Sequence, residues 1–207
     1  MSISNLRIEI CGGIASGKTT FASLFNLQNV TPLYEDFKKS PFWEAFYCNP
    51  GKYIFETEIS FVLLHYHQIK LSLESNLTNL ICDFSFYLDF AYAKMGLTDS
   101  KFNAFEAVYT EIKKELGRPN LLVHLRCDAQ TELERIRKRG RQEESSISYD
   151  FLATLNQAVE KEVKGIKEEI TVLEIDSSKK DFAHDAKVQK DMINLISQYM
   201  SSQVHLT

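Results

Sequence analysis

The chain has 207 residues and a formal net charge of −4, from 24 Lys and Arg against 28 Asp and Glu. Hydrophobic residues make up 44% and charged residues 25%, which fits one globular domain that buries its own core without disulfide or metal staples. The acidic balance argues against a nucleic-acid partner, no run approaches the roughly 18 apolar residues of a membrane span, and residues 1–7 lack the basic start and apolar stretch of a signal peptide.

In chain order, the first element is a short apolar strand, Leu6–Cys11, followed by Gly12-Gly13-Ile14-Ala15-Ser16-Gly17-Lys18-Thr19 and then Thr20. This is the pattern G-x4-G-K-[ST], set between a strand and a predicted helix over residues 18–27. The glycines let successive N–H groups point inward, and those amides with the helix N-terminus bind phosphate oxygens. Lys18 is placed for the β- and γ-phosphates of ATP, and the Thr19 hydroxyl for Mg2+. A weaker strand over residues 30–33 leads into Glu35 and Asp36. A carboxylate beyond a strand's carboxyl end is either a base for an attacking hydroxyl or a solvated loop acid.

Helices are predicted over residues 42–47 and 54–74. The second carries Phe55, Ile59, Val62, Leu63, Tyr66, Ile69 and Leu73 at three- and four-residue steps, a core stripe wide enough to serve an interface as well. Strand Asn79–Cys82 then ends at Asp83, where an acid either holds Mg2+ or caps the next helix. Helices over 86–95 and 102–116, strand Leu121–Arg126, helices over 131–138 and 149–167, a strand over 170–175 and a helix over 183–199 complete the chain. Short apolar strands alternating with helices predict a doubly wound α/β fold with a five-stranded parallel sheet. No linker divides residues 1–207, which read as one domain. Cys11, Cys48, Cys82 and Cys127 have no CxxC spacing and read as buried or free thiols of a reducing cytoplasm.

Five of the basic residues fall within positions 135–141. Arg135 and Arg139 share a helix face, Gly140 breaks the helix and Arg141 follows. Residues 139–148 read as an exposed, mobile connection, so that residues 135–148 form an Arg-rich lid over a transferring phosphate. The alternative is a solvated face balanced by Glu132, Glu134, Glu143 and Glu144.

Together these segments resemble the deoxyribonucleoside kinase family, especially its bacterial deoxyadenosine/deoxyguanosine kinase branch, from the P-loop to about Phe182. The stretch from Arg135 to Glu144 looks like the family's lid, R-x3-R-G-R-x-E-E. The resemblance implies a P-loop, nucleoside-monophosphate-kinase-like fold. It also implies 5′-phosphorylation of a purine deoxynucleoside by ATP and Mg2+, with the phosphates on residues 12–20 and the metal on Thr19 and Asp83. Glu35, selected over Asp36 by its spacing from Pro41, corresponds to the general base. Tyr47 and Glu144 correspond to the pair on the sugar 3′-hydroxyl, and Lys18, Arg135, Arg139 and Arg141 to the catalytic cations. Glu58, His65 and Asp89 stand where the family has its base-contacting Gln, Arg and Asp. The helix over 54–74 implies a homodimer.

Three positions depart from that pattern. Ionised Glu only accepts hydrogen bonds, so Glu58 either meets a donor such as an exocyclic amine or is protonated. Phe84 replaces an Arg in the family's D/E-R-S motif, and His65 replaces the Arg that pairs with the Asp at Asp89. Two other readings are a kinase of another small acceptor, such as a nucleoside monophosphate, and a nucleotide-binding regulator without catalysis.

Overall fold

A computed structural model describes residues 6–26, 30–75, 77 and 79–204. Five strands form one parallel sheet: β1 (Leu6–Cys11), β2 (Thr31–Leu33), β3 (Asn79–Cys82), β4 (Leu121–Arg126) and β5 (Thr171–Asp176), in the order β2-β3-β1-β4-β5. The helices are α1 (Lys18–Ser23), α2 (Trp43–Cys48), α3 (Pro50–Glu74), α4 (Phe86–Gly96), α5 (Asp99–Leu116), α6 (Ala129–Arg139), α7 (Tyr149–Gly165) and α8 (Ala186–Val204). The predicted elements all exist, with shifted ends.

Local chemistry accounts for the shifts. Asn49 caps α3 by accepting the Lys52 N–H, and Pro50 supplies a preset first turn, so the helix starts four residues before its predicted start at Ile54. Helix α1 is shorter than predicted because the N–H groups of Leu24, Phe25 and Asn26 bond three residues back instead of four. Leu27, the predicted end of that helix, lies outside the described residues. Gly140, at φ 65°, stops α6.

Alternate residues of β1 serve opposite layers. Leu6, Ile8 and Ile10 pack with Phe21 of α1 and with Met192 and Ile196 of α8. Cys11 packs with Leu155 and Val159 of α7, while α3, α4 and α5 close over β3 through Val62, Ile69, Ala93 and Phe105. The strand over 170–175 was expected to be buried. As an edge strand, β5 buries only Ile175, because its outer flank has no neighbour.

Residues 139–148 are mostly exposed, as expected, but are anchored at two buried positions. They fold as a 3-10 turn, Gln142–Ser146, in which Glu144 is 2% exposed. Ile147 follows it into a cluster with Leu133, Ile136 and Leu152. One buried carboxylate and one apolar side chain hold a segment whose composition is otherwise that of a solvated loop.

On the α5 side of β1, the Arg7 guanidinium donates to the carbonyls of Leu116 and Gly117 at 2.8 and 2.7 Å and lies 3.1 Å from Glu9. Glu9 is fully buried, and burial pushes its carboxyl up despite Arg7. Arg7→Ala leaves that carboxyl without its counter-ion and should destabilise the fold by about 3–5 kcal/mol in denaturant titrations. A loss below about 1 kcal/mol would show that the pair is dispensable.

Candidate active site

Each strand of a parallel sheet delivers its carboxyl end to the same edge. β1 ends at the glycine loop, β2 before Glu35, β3 at Asp83, β4 before α6, and β5 before residues 177–184. The strand order therefore spreads the site along the edge, with Glu35 and Asp83 at one side, the loop in the middle and residues 177–184 at the other. A cavity of about 930 Å³ runs along this edge, a volume that suits two small ligands end to end.

The loop is built for close approach. Gly12 and Gly17 have φ of 156° and 100°, and Ala15 has φ 62°, so its backbone turns through angles that side chains resist. A Cβ on Gly13 would sit 2.3 Å from Glu132 Oε1 and 2.4 Å from Asn156 Oδ1. Those two side chains form a buried floor: Asn156 donates to Glu132 Oε2 at 2.9 Å and to the Cys127 carbonyl at 3.0 Å. Burial raises Glu132 to about 8, so it is mostly neutral near pH 7. The Lys18 ammonium donates to the carbonyls of Gly12 and Gly13, both at 2.9 Å. Of residues 12–20, Ile14, Ala15, Gly17, Lys18, Thr19 and Thr20 line the cavity.

Asp83 accepts from the Thr19 hydroxyl and from the Glu35 backbone N–H. A hydroxyl and a carboxylate on adjacent elements are hard oxygen ligands, and they fit a Mg2+ ion that takes its remaining ligands from phosphate and water. Among the described residues, no cluster of three or more His, Cys, Asp and Glu side chains forms a ready-made cage.

Beside Asp83, the Glu35 carboxylate is about one-third exposed, at 34%. Its Oε1 lies 3.0 Å from His65 Nε2, and His65 Nδ1 lies 2.9 Å from Asp89 Oδ2. The ring stacks on Phe84 at 4.1 Å with 4° between planes. Burial disfavours charge on His65, but Asp89 and Glu35 outweigh it and raise the group to about 10, so both ring nitrogens carry protons near neutral pH. For Glu35, burial alone would raise the carboxyl. The hydrogen bond and charge of His65, with Lys18 and Arg141, bring it below its ordinary value. His65, read from sequence as a base contact, is thus 2% exposed and does not line the cavity; it stands behind Glu35 and Asp89.

Glu58 and Asp89 do line the cavity, with Phe61 and Tyr92. Burial and the neighbouring Asp89 charge push Glu58 well above its ordinary value, the direction that favours the protonated form of the two alternatives the sequence left open. Tyr47 also lines the cavity, edge-on to Trp43 and Phe46.

Four of the five clustered basic residues line the cavity: Arg135, Lys138, Arg139 and Arg141. Each arginine is already engaged by the protein. Arg135 donates to the Ala15 and Ser177 carbonyls at 3.2 and 2.8 Å. Arg139 Nε and Nη2 both lie 2.6 Å from Glu144 Oε2, and Arg141 donates to Oε1 at 3.2 Å. Glu144, expected at the sugar, spends both oxygens on these arginines.

Sequence reasoning missed two parts. Glu132 and Asn156 under the loop gave no signal, because Glu132 reads as one more acid balancing the arginines. Residues 178–184 line the far end of the cavity, and Phe182 packs against the Gly17 backbone; no motif singles these residues out, and 183 and 184 read as the start of the last helix.

Comparison with known proteins gives a consistent picture. The family model described as deoxynucleoside kinase matches residues 8–201. A deoxyguanosine kinase of Bacillus subtilis is 29% identical over 182 residues, covering 84% of this chain and 88% of that protein. A deoxyadenosine kinase of Dictyostelium discoideum is 29% identical over 183 residues, covering 86% of this chain and 74% of that protein. The solved structure of deoxyadenosine kinase from M. mycoides with bound dCTP superposes with a TM-score of 0.78 at 23% identity, covering 95% of this chain and 100% of that one.

Gly13→Ala should weaken nucleoside triphosphate binding by about tenfold or more while leaving the unfolding midpoint within a few degrees, because the added methyl must displace the Glu132–Asn156 floor. Calorimetric titration with a triphosphate checks this, and unchanged affinity would show that the floor yields freely.

Proposed function

Because the chain belongs to the deoxynucleoside kinase family, we propose that it transfers the γ-phosphate of ATP to the 5′-hydroxyl of a purine deoxynucleoside. The observation that carries the site assignment is the juxtaposition of Glu35, Asp83 and the glycine loop on adjacent strand ends, beside an aromatic-walled pocket. Family membership supports a deoxynucleoside acceptor over a nucleoside monophosphate.

In this reading the nucleoside lies at the β2–β3 side, with its base by Glu58 and Asp89 and its sugar by Tyr47. ATP lies across the loop toward residues 178–184. Glu35 accepts the 5′-hydroxyl proton as that oxygen forms its bond to the γ-phosphorus. The bond from that phosphorus to the β–γ bridging oxygen breaks, leaving ADP. Lys18 exchanges its two loop carbonyls for phosphate oxygens, and the loop amides receive charge that develops on the phosphates. Thr19 and Asp83 would hold Mg2+, which neutralises phosphate charge when bound. Arg135, Arg139 and Arg141 close as a lid by releasing their present partners to phosphate, which frees Glu144 for the sugar.

At the base end, protonated Glu58 offers a donor beside an acceptor, as Gln does. Asp89 offers acceptors only. A donor–acceptor pair matches an edge of a purine ring, and the bacterial and Dictyostelium relatives are named as purine deoxynucleoside kinases. Leu63 and Leu71, two turns apart on α3, are 44% and 48% exposed, which supports a homodimer across that helix. A cytoplasmic enzyme fits the four free cysteines.

Glu35→Gln should lower kcat by about 10²–10⁴-fold while nucleoside affinity stays within about threefold. Near-normal turnover would remove Glu35 as the base. A panel of four deoxynucleosides and four ribonucleosides with ATP-Mg2+ tests the acceptor, with the purine deoxynucleosides expected to lead. Absence of any transfer would favour a regulator instead. Glu58→Gln should keep activity on the preferred base and abolish a rise of nucleoside KM at high pH, where the wild-type carboxyl ionises and loses its donor. Loss of activity at every pH would show that the carboxyl is needed as an anion.

A further inference from the structure

The Glu35–His65–Asp89 chain is built unlike a base-recognition contact. The imidazole is shut off from the cavity, has a carboxylate on each nitrogen, and lies flat on Phe84. Two hydrogen bonds at opposite corners of the ring and a stacked face leave it one orientation. We propose that His65 is a positioning residue for phosphoryl transfer: a buried imidazolium that fixes Glu35 Oε1, leaves Oε2 to take the acceptor's proton, and is itself held by Asp89 and Phe84.

Among the described residues, Glu35 Oε2 has no hydrogen-bond partner, so it is the oxygen open to an acceptor. A neutral imidazole could donate to only one of the two carboxylates and would face a lone pair toward the other. Both contacts are at hydrogen-bond distance, which the doubly protonated ring satisfies with both carboxylates ionised.

Other charges face this group from every side. Asp89 of α4 and Glu58 of α3 flank it, Asp83 at the end of β3 binds the Glu35 backbone, and Lys18 and Arg141 act on Glu35 across the cavity. Tyr47 and Tyr92 lie close enough to feel the Glu35 charge. Lys18 and Arg141 move toward phosphate when ATP binds, so His65 is the cation that stays with Glu35.

This proposal rests on Glu35 as the base, and the experiment separates the two. kcat and nucleoside KM are measured near neutral pH for the wild type, His65→Gln and His65→Arg. kcat should fall by about 10–10²-fold in the Gln variant and return toward wild type in the Arg variant, with KM within about threefold in all three. A loss of kcat that the Arg variant does not restore would mean that His65 only fills space. A raised KM with unchanged kcat would return it to base recognition.

Should the variants fold poorly, 15N-histidine NMR of the wild-type enzyme still decides. Two ring N–H signals from one histidine should persist at pH 8, and Glu35→Gln should bring that histidine's titration lower. A neutral, singly protonated ring at pH 8 overturns the proposal. If Glu35→Gln keeps its turnover while the doubly protonated ring is present, the base assignment fails and the ion bridge stands.

Discussion

A parallel sheet sends the carboxyl end of every strand to one edge, and that constraint gathers more charge than a protein interior holds unpaired. Glu35, Asp83, Asp89, Glu58 and Glu144 converge there with Lys18, His65, Arg135, Arg139 and Arg141. The architecture of the site is the way those charges are matched. Glu144 takes Arg139 and Arg141, His65 takes Glu35 and Asp89, and Lys18 and Arg135 bind carbonyls. Glu58, left over, has its carboxyl pushed up by burial and by the Asp89 charge.

The pairings fall into two classes. Lys18 sits on two loop carbonyls, while Arg139 and Arg141 sit on the Glu144 carboxylate in the cavity lining; phosphate is a stronger partner for Lys18 than a backbone carbonyl. These contacts keep the three cations from repelling one another. The His65 pairs are closed to the cavity and carry no such exchange.

Much of the fold was legible in the sequence, because short apolar runs and helical periodicity report burial directly. The glycine pattern likewise names its own geometry. The errors came where a few buried side chains override composition. Residues 139–148 look solvated and most of them are, but Glu144 and Ile147 are buried and pin the segment. Helix α1 keeps a helical pattern, and a switch in hydrogen-bond spacing ends it early. Glu132 beneath Gly13 was illegible for another reason: nothing in a sequence tells a floor carboxyl from a surface one until the loop above it is placed.

His65 and Phe84 show what substitution patterns conceal when positions are taken singly. Each, compared with the resembling family, reads as the loss of an arginine. In space the two are one unit, since the Phe84 ring covers the face of the imidazole and Asp89 and Glu35 hold its edge. A second cation at position 84 would sit against His65 and repel it. An apolar ring there excludes water and leaves the charge on His65. The phenylalanine is therefore not a missing charge. It is the surface that lets one histidine serve two carboxylates, and the change at one position makes sense only with the change at the other.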